Sequence, residues 1–287
     1  MKKFKLSLFA LPFLGLLFAG CDKLPDQPEE EAPQGEQSTS EGGSESGGGS
    51  QESTTQETEI QKVVRIAKQD FFAENVSYTI HSTSNTPYGD SSMEETFERD
   101  GNKVHVSLTS TSSGMIQPQS SEYYYVQDGD KGYVYNKNGG ETWTVMETPR
   151  KMALDSSGSI YGMDACFAKF AETATKQDDG SWKATNLTYT IRSEDLINQI
   201  GYDYSGYTIA KETIDFTLEY LIIKVENDHL SYFEQKNCSI RFDYDDDEMT
   251  ITPVLDETYV CVSTLSNFRN FGTTVVTLPE AQPMEIH

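Results

Sequence analysis

The histidines are the residues of this chain best suited to metal binding or to acid–base chemistry, and there are four: His81, His105, His229 and His287. No His-Glu-x-x-His or Cys-x-x-Cys spacing occurs, so a zinc site has no support in the sequence. Gly-x-Ser-x-Gly and Ser-x-x-Lys are also absent, which removes the local signatures of the common serine acyl-transfer enzymes. We therefore predict that the protein has no catalytic residues, no metal and no cofactor, and is not an enzyme. His81 and His105 fall on predicted strands, where we expect surface or cross-strand contacts.

An acidic run, Asp243-Tyr244-Asp245-Asp246-Asp247-Glu248, gathers the hard oxygen ligands that calcium prefers. The EF-hand pattern nevertheless fails, because its sixth position is Glu248 instead of Gly and its twelfth is Val254 instead of Glu. We interpret the run as the acidic turn of a hairpin, with calcium binding at residues 243–248 as the alternative.

Three cysteines lie outside the N-terminal segment: Cys166, Cys238 and Cys261. Cys238 and Cys261 fall on predicted strands, so a disulfide between them is geometrically feasible if those strands pair. Cys166 lies near the apolar face of a predicted helix, where we expect it to act as a small buried hydrophobe.

The fourth cysteine, Cys21, follows a positively charged start and an apolar run at residues 6–18. That run is shorter than the roughly 20 residues that a membrane-spanning helix needs. Leu17-Phe18-Ala19-Gly20-Cys21 resembles a bacterial lipobox, with Phe18 where that motif usually has Leu. The resemblance implies cleavage after Gly20 and a diacylglyceryl group on Cys21, with palmitate-type chains that hold the protein at the cell membrane and its domain on the extracytoplasmic side. The alternative is an ordinary secretory signal that happens to contain a cysteine.

Charge and hydropathy argue against two classes of protein, nucleic-acid binders and polytopic membrane proteins. The chain of 287 residues carries 46 acidic against 22 basic side chains, a net charge of -24. We therefore expect no nucleic-acid partner, because binding phosphates takes clustered Lys and Arg. A polytopic membrane protein is excluded as well, since no second long apolar stretch follows the first.

Composition divides the chain into three parts. Residues 1–20 are the predicted signal peptide. Residues 21–59 combine the lipidated cysteine with an acidic Ser-, Gly- and Glu-rich tether that contains Leu24 as its only large aliphatic residue. We expect this tether to be disordered and to span roughly 35 Å. Residues 60–287 form the predicted β-rich domain.

Periodicity predicts the elements of that domain. An amphipathic helix is expected over 59–74 and a second one over 160–174. Three Gly-containing turns, at 100–102, 128–130 and 138–140, indicate hairpins of a first antiparallel meander, and alternating residues from 213 onward indicate a second. The order of helix, meander, helices and meander predicts an α+β fold with a curved antiparallel sheet covered on one face.

This order resembles the LolA/LolB and LppX/LprG-like lipoprotein folds, and local phrases add to the likeness. They are Phe97-Glu98-Arg99-Asp100-Gly101-Asn102-Lys103, Tyr133-Val134-Tyr135 and the closing Phe271-Gly272-Thr273-Thr274-Val275-Val276-Thr277-Leu278-Pro279. The resemblance implies a half-barrel of about ten to twelve strands around an N-terminal helix and central helices. It also implies an apolar cavity that holds lipid.

The expected function is a non-enzymatic, membrane-anchored binding module for a hydrophobic ligand, a lipid or an acyl chain, in that half-barrel cavity. The residues expected to line the cavity are Ile160, Met163, Phe167, Phe170, Tyr133, Tyr135, Phe216 and Leu218. The tyrosines have a second explanation, because Tyr is also favoured on any half-exposed strand. A different class of function stays open, namely a surface or envelope module that binds a protein partner and no small molecule.

Overall fold

The computed structural model describes residues 5–6, 57–87, 89–129, 131–137, 142–148, 162–200 and 206–283. Cys21, almost all of the predicted signal peptide and tether, and Ile160 lie outside these residues, so the predictions made for them stay predictions. Within the described part of the chain, no helix has the length and apolar character needed to cross a membrane.

The described residues form three helices and one large sheet. The helices are α1 Glu59–Phe71, α2 Met163–Thr173 and α3 Ser193–Ile200. The strands are β1 Lys5–Leu6, β2 Asn75–Thr86, β3 Gly89–Asp100, β4 Lys103–Ser112, β5 Gln119–Asp128, β6 Lys131–Asn136, β7 Thr144–Thr148, β8 Thr175–Lys176, β9 Trp182–Arg192, β10 Thr208–Ile209, β11 Thr213–Glu226, β12 His229–Asp245, β13 Thr250–Arg269 and β14 Gln282–Pro283.

Two antiparallel meanders join to make this sheet. Its strand order is β14-β7-β6-β5-β4-β3-β2-β13-β12-β11-β9-β8, while β1 pairs with β12 and β10 with β13 beside that path. The two meanders meet where β13 pairs antiparallel with β2. The short pairs β10–β13 and β14–β7 are parallel. Because β14 and β8 lie at opposite ends of the order, the sheet is open.

The predicted α+β half-barrel of ten to twelve strands covered by helices is wrong. The fold is mainly β, with 61% strand and 15% helix, and thirteen strands of residues 57–283 form an open sheet. One cause is that β12 and β13 run for 17 and 20 residues, each merging two predicted strands. A register shift between Cys238 and Ser239 bends β12 without ending it. The helices are also too short to cover the sheet. Helix α1, with 13 residues, is about 20 Å long, whereas twelve paired strands span more than about 50 Å across the sheet.

Helix α1 begins at a capping box and packs on the second meander. The Thr58 side chain accepts from the backbone N–H of Gln61, whose side chain accepts from the backbone N–H of Thr58. At the other end, the Asp70 carboxylate accepts from the backbone N–H of Leu230 at 2.5 Å and lies 3.3 Å from Nδ1 of His229. Burial raises the pKa of Asp70, and the hydrogen bonds from Leu230 and His229 oppose that shift. These contacts fix α1 against the start of β12.

Direct cross-strand partners project to the same face of an antiparallel sheet, so the register defines the side that faces the helices. One row on this helix-facing side crosses five neighbouring strands: Phe233, Leu265, Ile80, Glu95 and Leu108. Phe233 contacts Phe71 of α1, with ring centroids 5.2 Å apart at 85°. The row is therefore apolar and covered by α1 at one end, and a carboxyl group interrupts it at Glu95.

The second meander, predicted from residue 213 onward, does not extend to the C-terminal segment, because residues 274–281 have no regular structure. The backbone of this segment is instead bonded to side chains at the ends of two strands. The N–H of Thr274 donates to Oδ1 of Asn75 at 2.5 Å, and the N–H of Val276 donates to Oδ2 of Asp100 at 3.2 Å. The chain then reaches β7, where Gln282–Pro283 forms β14. The segment thus connects the first and last strands of the first meander.

Candidate functional site

Three buried polar side chains on the helix-facing side carry atoms with no hydrogen-bond partner among the described residues. They are Glu95 on β3, Tyr123 on β5 and Asn136 on β6, with exposed fractions of 2%, 6% and 5%. The unpartnered atoms are Oε2 of Glu95, the hydroxyl of Tyr123 and Nδ2 of Asn136. We refer to these three residues as the donor cluster. Native folds pair nearly all buried polar atoms, so three orphans on one sheet face need an explanation.

The register places Tyr123 and Asn136 on the neighbouring strands β5 and β6, and Glu95 on β3, with β4 between. Tyr123 is the direct partner of Asn136, which puts their Cβ atoms about 4.5–5.5 Å apart. Glu95 lies two strands from Tyr123, between the apolar partners Ile80 and Leu108. The strands alternate, so the Glu95 side chain shares its side of β3 with Met93 and Phe97, both buried.

Burial determines the protonation of this cluster. Desolvation raises the pKa of Glu95 to about 8, so its carboxyl group is protonated at neutral pH and can donate a hydrogen bond. The pKa of Tyr123 is also raised, first by burial and then by the nearby Glu95 and Tyr78. Oδ1 of Asn136 already accepts from the Thr144 hydroxyl at 3.1 Å, which leaves its amide N–H groups to donate. The cluster therefore presents donors to whatever lies against it.

The helix-facing side also changes polarity along the strands. Beyond the row of Glu95 comes a row of mostly polar residues: Gln235, Ser263, Ser82 and Met93. The hydroxyls of Ser82 and Ser263 lie 3.1 Å apart, and Sγ of Cys261 lies 3.6 Å from the Ser263 hydroxyl. On the other side of the Glu95 row, the residues are large and apolar, such as Tyr78 stacked on Phe97 at 4.7 Å. Glu95 thus lies at a boundary between apolar and polar surface.

A second polar cluster lies on the opposite side of the sheet. Nδ1 of His105 is 2.8 Å from Oε2 of Glu98, and Nε2 is 3.0 Å from Oε1 of Glu122. The ring stacks on Tyr124 with centroids 4.4 Å apart, and the Tyr124 hydroxyl donates to Glu122 at 3.3 Å. Both ion pairs form together when both ring nitrogens carry a proton. Both ring nitrogens of His105 face carboxylates of the flanking strands, which is the cross-strand contact that we expected.

The structure brings together five of the residues expected to line a cavity. Met163, Phe167 and Phe170 of α2 and Phe216 and Leu218 of β11 are all buried in one hydrophobic cluster. Tyr133 and Tyr135 do not join it. They flank Val134 on β6 and project to the opposite side, with partial exposure. Ile160 lies outside the described residues.

The sequence contained a signal for Glu95 that we did not use. In the stretch Met93-Glu94-Glu95-Thr96-Phe97, Glu95 occupies the apolar phase of the strand together with Met93 and Phe97. A carboxyl group in that phase is either paired or protonated once the strand is buried.

The described cysteines are free, and the proposed disulfide between Cys238 and Cys261 does not form. Their strands do pair, but Cys238 is opposite Val260 while Cys261 is opposite Asn237. Adjacent residues of a strand project to opposite sides, so the two sulfur atoms lie on different faces of the sheet. The expectation for Cys166 is confirmed: it is fully buried, and burial raises the pKa of its thiol to about 12.

The acidic run lies at the turn between β12 and β13, as expected for a hairpin. Oδ1 of Asp245 accepts from the backbone N–H groups of Asp247 and Glu248 at 3.1 Å each, so the carboxylate caps its own turn. In the part of the chain that the structure describes, no group of three or more His, Cys, Asp or Glu side chains is arranged to hold a metal ion.

Comparison with known proteins adds one structural likeness. No family model matches the chain, and no curated protein matches it. Among solved structures, a DUF1329 family protein from Desulfovibrio piger is similar over 74% of this chain and 91% of its own length. The identity is 11% and the TM-score 0.26, a level of similarity that assigns neither a family nor a function.

Proposed function

We propose that this chain is a membrane-anchored extracytoplasmic lipoprotein that is not an enzyme and binds a hydrophobic ligand, a lipid or an acyl chain, on the helix-facing side of its sheet. The observation that supports this proposal best is the donor cluster. Unpartnered donors that are buried beside the hydrophobic core cluster suit a ligand that has an apolar body and a polar group.

The surface around the cluster is consistent with such a ligand. Large apolar and aromatic side chains on one side of Glu95, including Phe97 and Val106, suit hydrocarbon. Hydroxyl and amide groups on its other side, including Ser82 and Gln235, suit a polar end. The lipobox-like sequence that ends at Cys21 and the long acidic tether that follows it support the membrane-anchored part of the proposal.

The test is lipid analysis of the full chain purified from membranes of the expressing cells. We expect a non-covalent acyl lipid in near one-to-one amount, detected by native mass spectrometry and released by solvent extraction. Leu108→Trp, which fills the helix-facing side, should remove most of this lipid. The control Ser107→Trp alters the neighbouring, exposed position on the opposite side and should keep it. Wild-type protein without any such lipid would contradict the proposal and favour the protein-interaction module instead.

The anchor is tested separately by Cys21→Ser. Cells fed a labelled palmitate should incorporate the label into the wild-type chain and not into this variant, because the thioether and amide linkages both depend on Cys21. The variant should also keep residues 1–20, which intact-mass analysis detects. Cys238→Ser is the control and should be labelled like the wild type. Equal labelling of the Cys21→Ser variant would show that the acyl chains are attached elsewhere.

A further inference from the structure

We propose that the donor cluster of Glu95, Tyr123 and Asn136 recognises its ligand through a neutral carbonyl oxygen, as found in an acyl ester or amide. This inference rests on the proposed function and specifies the chemical class of the ligand's polar group. It excludes a free fatty acid, an amine and a plain alkyl ether as the preferred ligand.

The first argument is the number and kind of the unpartnered atoms. A carboxylic acid hydroxyl, a phenol hydroxyl and an amide N–H all donate, and none of these atoms has a partner among the described residues. A carbonyl oxygen has two lone pairs and accepts two hydrogen bonds, so it matches a pair of donors such as those of Tyr123 and Asn136 on the adjacent strands β5 and β6. An ammonium group accepts no hydrogen bond, so it would leave the amide N–H groups of Asn136 unpaired.

The second argument is charge. The titratable groups facing Glu95 from the packed strands are the Tyr78 and Tyr123 hydroxyls, which are neutral. The cationic residue on the same side of β3 as Glu95 is Arg99. Its guanidinium group already donates to the backbone carbonyls of Gly101 and Ala73, at 3.1 Å each. A buried fatty-acid carboxylate would therefore gain no free counter-charge from these groups, whereas a neutral carbonyl needs none.

The third argument is position. Glu95 lies where the helix-facing side changes from apolar to polar. If the hydrocarbon of an acyl chain covers the apolar part, the first carbonyl group of that chain lies at this boundary. Tyr123 and Asn136 are direct partners one residue row away, and the Glu95 carboxyl group is near enough to raise the pKa of Tyr123.

The experiment compares two probes that differ only in the carbonyl groups, dioctanoylglycerol and its ether analogue dioctylglycerol. Both are titrated into the full chain after bound lipid has been removed on a hydrophobic resin. We expect the wild type to bind the ester at least roughly tenfold more tightly than the ether, which corresponds to one good hydrogen bond. Tyr123→Phe and Glu95→Met should each reduce this ratio towards one while ether binding stays within about threefold.

The controls separate recognition from folding. Tyr124→Phe removes a hydroxyl from the neighbouring tyrosine on the opposite side and should keep the ester preference. Glu95→Gln keeps a donor at position 95 and should keep it too. In the wild type the preference should decline as pH rises through about 8, because the ionised carboxylate no longer donates, while Glu95→Gln should show no such decline.

Each outcome decides a different claim. If the wild type binds neither probe, the proposed function fails. If it binds both equally, or if octanoic acid binds more tightly than the ester at pH 7, the carbonyl inference is overturned and the proposed function stands. A loss of both probes together in Tyr123→Phe and Glu95→Met would likewise assign the cluster a purely structural role.

Discussion

Glu95→Gln should abolish most of a fall in stability that the wild-type protein shows between about pH 4.5 and pH 8. The unfolded carboxyl group has a pKa near 4.5, whereas burial raises the folded value to about 8. Between these two pH values the folded state holds a proton that the unfolded state has released. The contribution of Glu95 to the free energy of unfolding is therefore greatest below the pKa of the unfolded state, and it is lost as the pH rises to the pKa of the folded state. The shift corresponds to a loss on the order of 5 kcal/mol in the free energy of unfolding.

Urea denaturation at several pH values from 5 to 9 measures this effect. Other carboxyl groups titrate in the same range, and Asp70 shifts in the same direction, so the informative quantity is the difference between wild type and Glu95→Gln at each pH. Glu94→Gln is the matched control, because Glu94 is the exposed neighbour on the opposite side of β3. A difference curve that is flat for both variants would show that Glu95 is not buried as the structure has it.

Phe71→Ala should cost about 3–5 kcal/mol in the free energy of unfolding, the range for deleting a buried aromatic ring. Phe71 is 1% exposed, and its ring lies 5.2 Å from that of Phe233 and 6.1 Å from that of Phe167. The side chain therefore joins α1 to both β12 and α2, and its loss leaves a cavity that none of these elements can fill.

The next residue provides the control, because Phe72 is 52% exposed. Phe72→Ala should change stability by less than about 0.5 kcal/mol. The comparison is made by urea denaturation at one pH, with the slope of the transition checked for constancy. Similar costs for the two substitutions would mean that α1 does not pack on the sheet through the face described here.

Local features of the fold could be predicted from the sequence because they depend on neighbouring residues. The hairpin turns at Gly101 and Gly129 were identified, and both glycines have positive φ values of 60° and 59°. The two amphipathic helices lie within three residues of their predicted ends, because apolar periodicity marks both.

Features that depend on distant pairing could not be predicted in this way. Nothing in the local pattern of β2 specifies β13 as its neighbour, and that pairing joins the meanders into one open sheet instead of a covered half-barrel. The same dependence on register separates the sulfur atoms of Cys238 and Cys261.

The candidate site falls between these two cases. The sequence shows that Glu95 alternates in step with the apolar residues of its strand. Its lack of a hydrogen-bond partner among the described residues, however, follows from its neighbours on β2 and β4, Ile80 and Leu108. The donors of Tyr123 and Asn136 become neighbours only through the pairing of β5 with β6.

The pairing of β2 with β13 has a consequence for how the protein is made. A chain is synthesised from its N-terminus, so β2 to β7 exist well before β13 does, and until then β2 is a bare strand edge whose N–H and C=O groups are open to other chains. Ile80 cannot pair with Leu265 until β13 has been synthesised, and contacts between residues so distant in the sequence form slowly. The newly made first half should therefore be the form of this protein most prone to aggregate and most dependent on chaperones, and it ceases to be so when β13 covers the β2 edge.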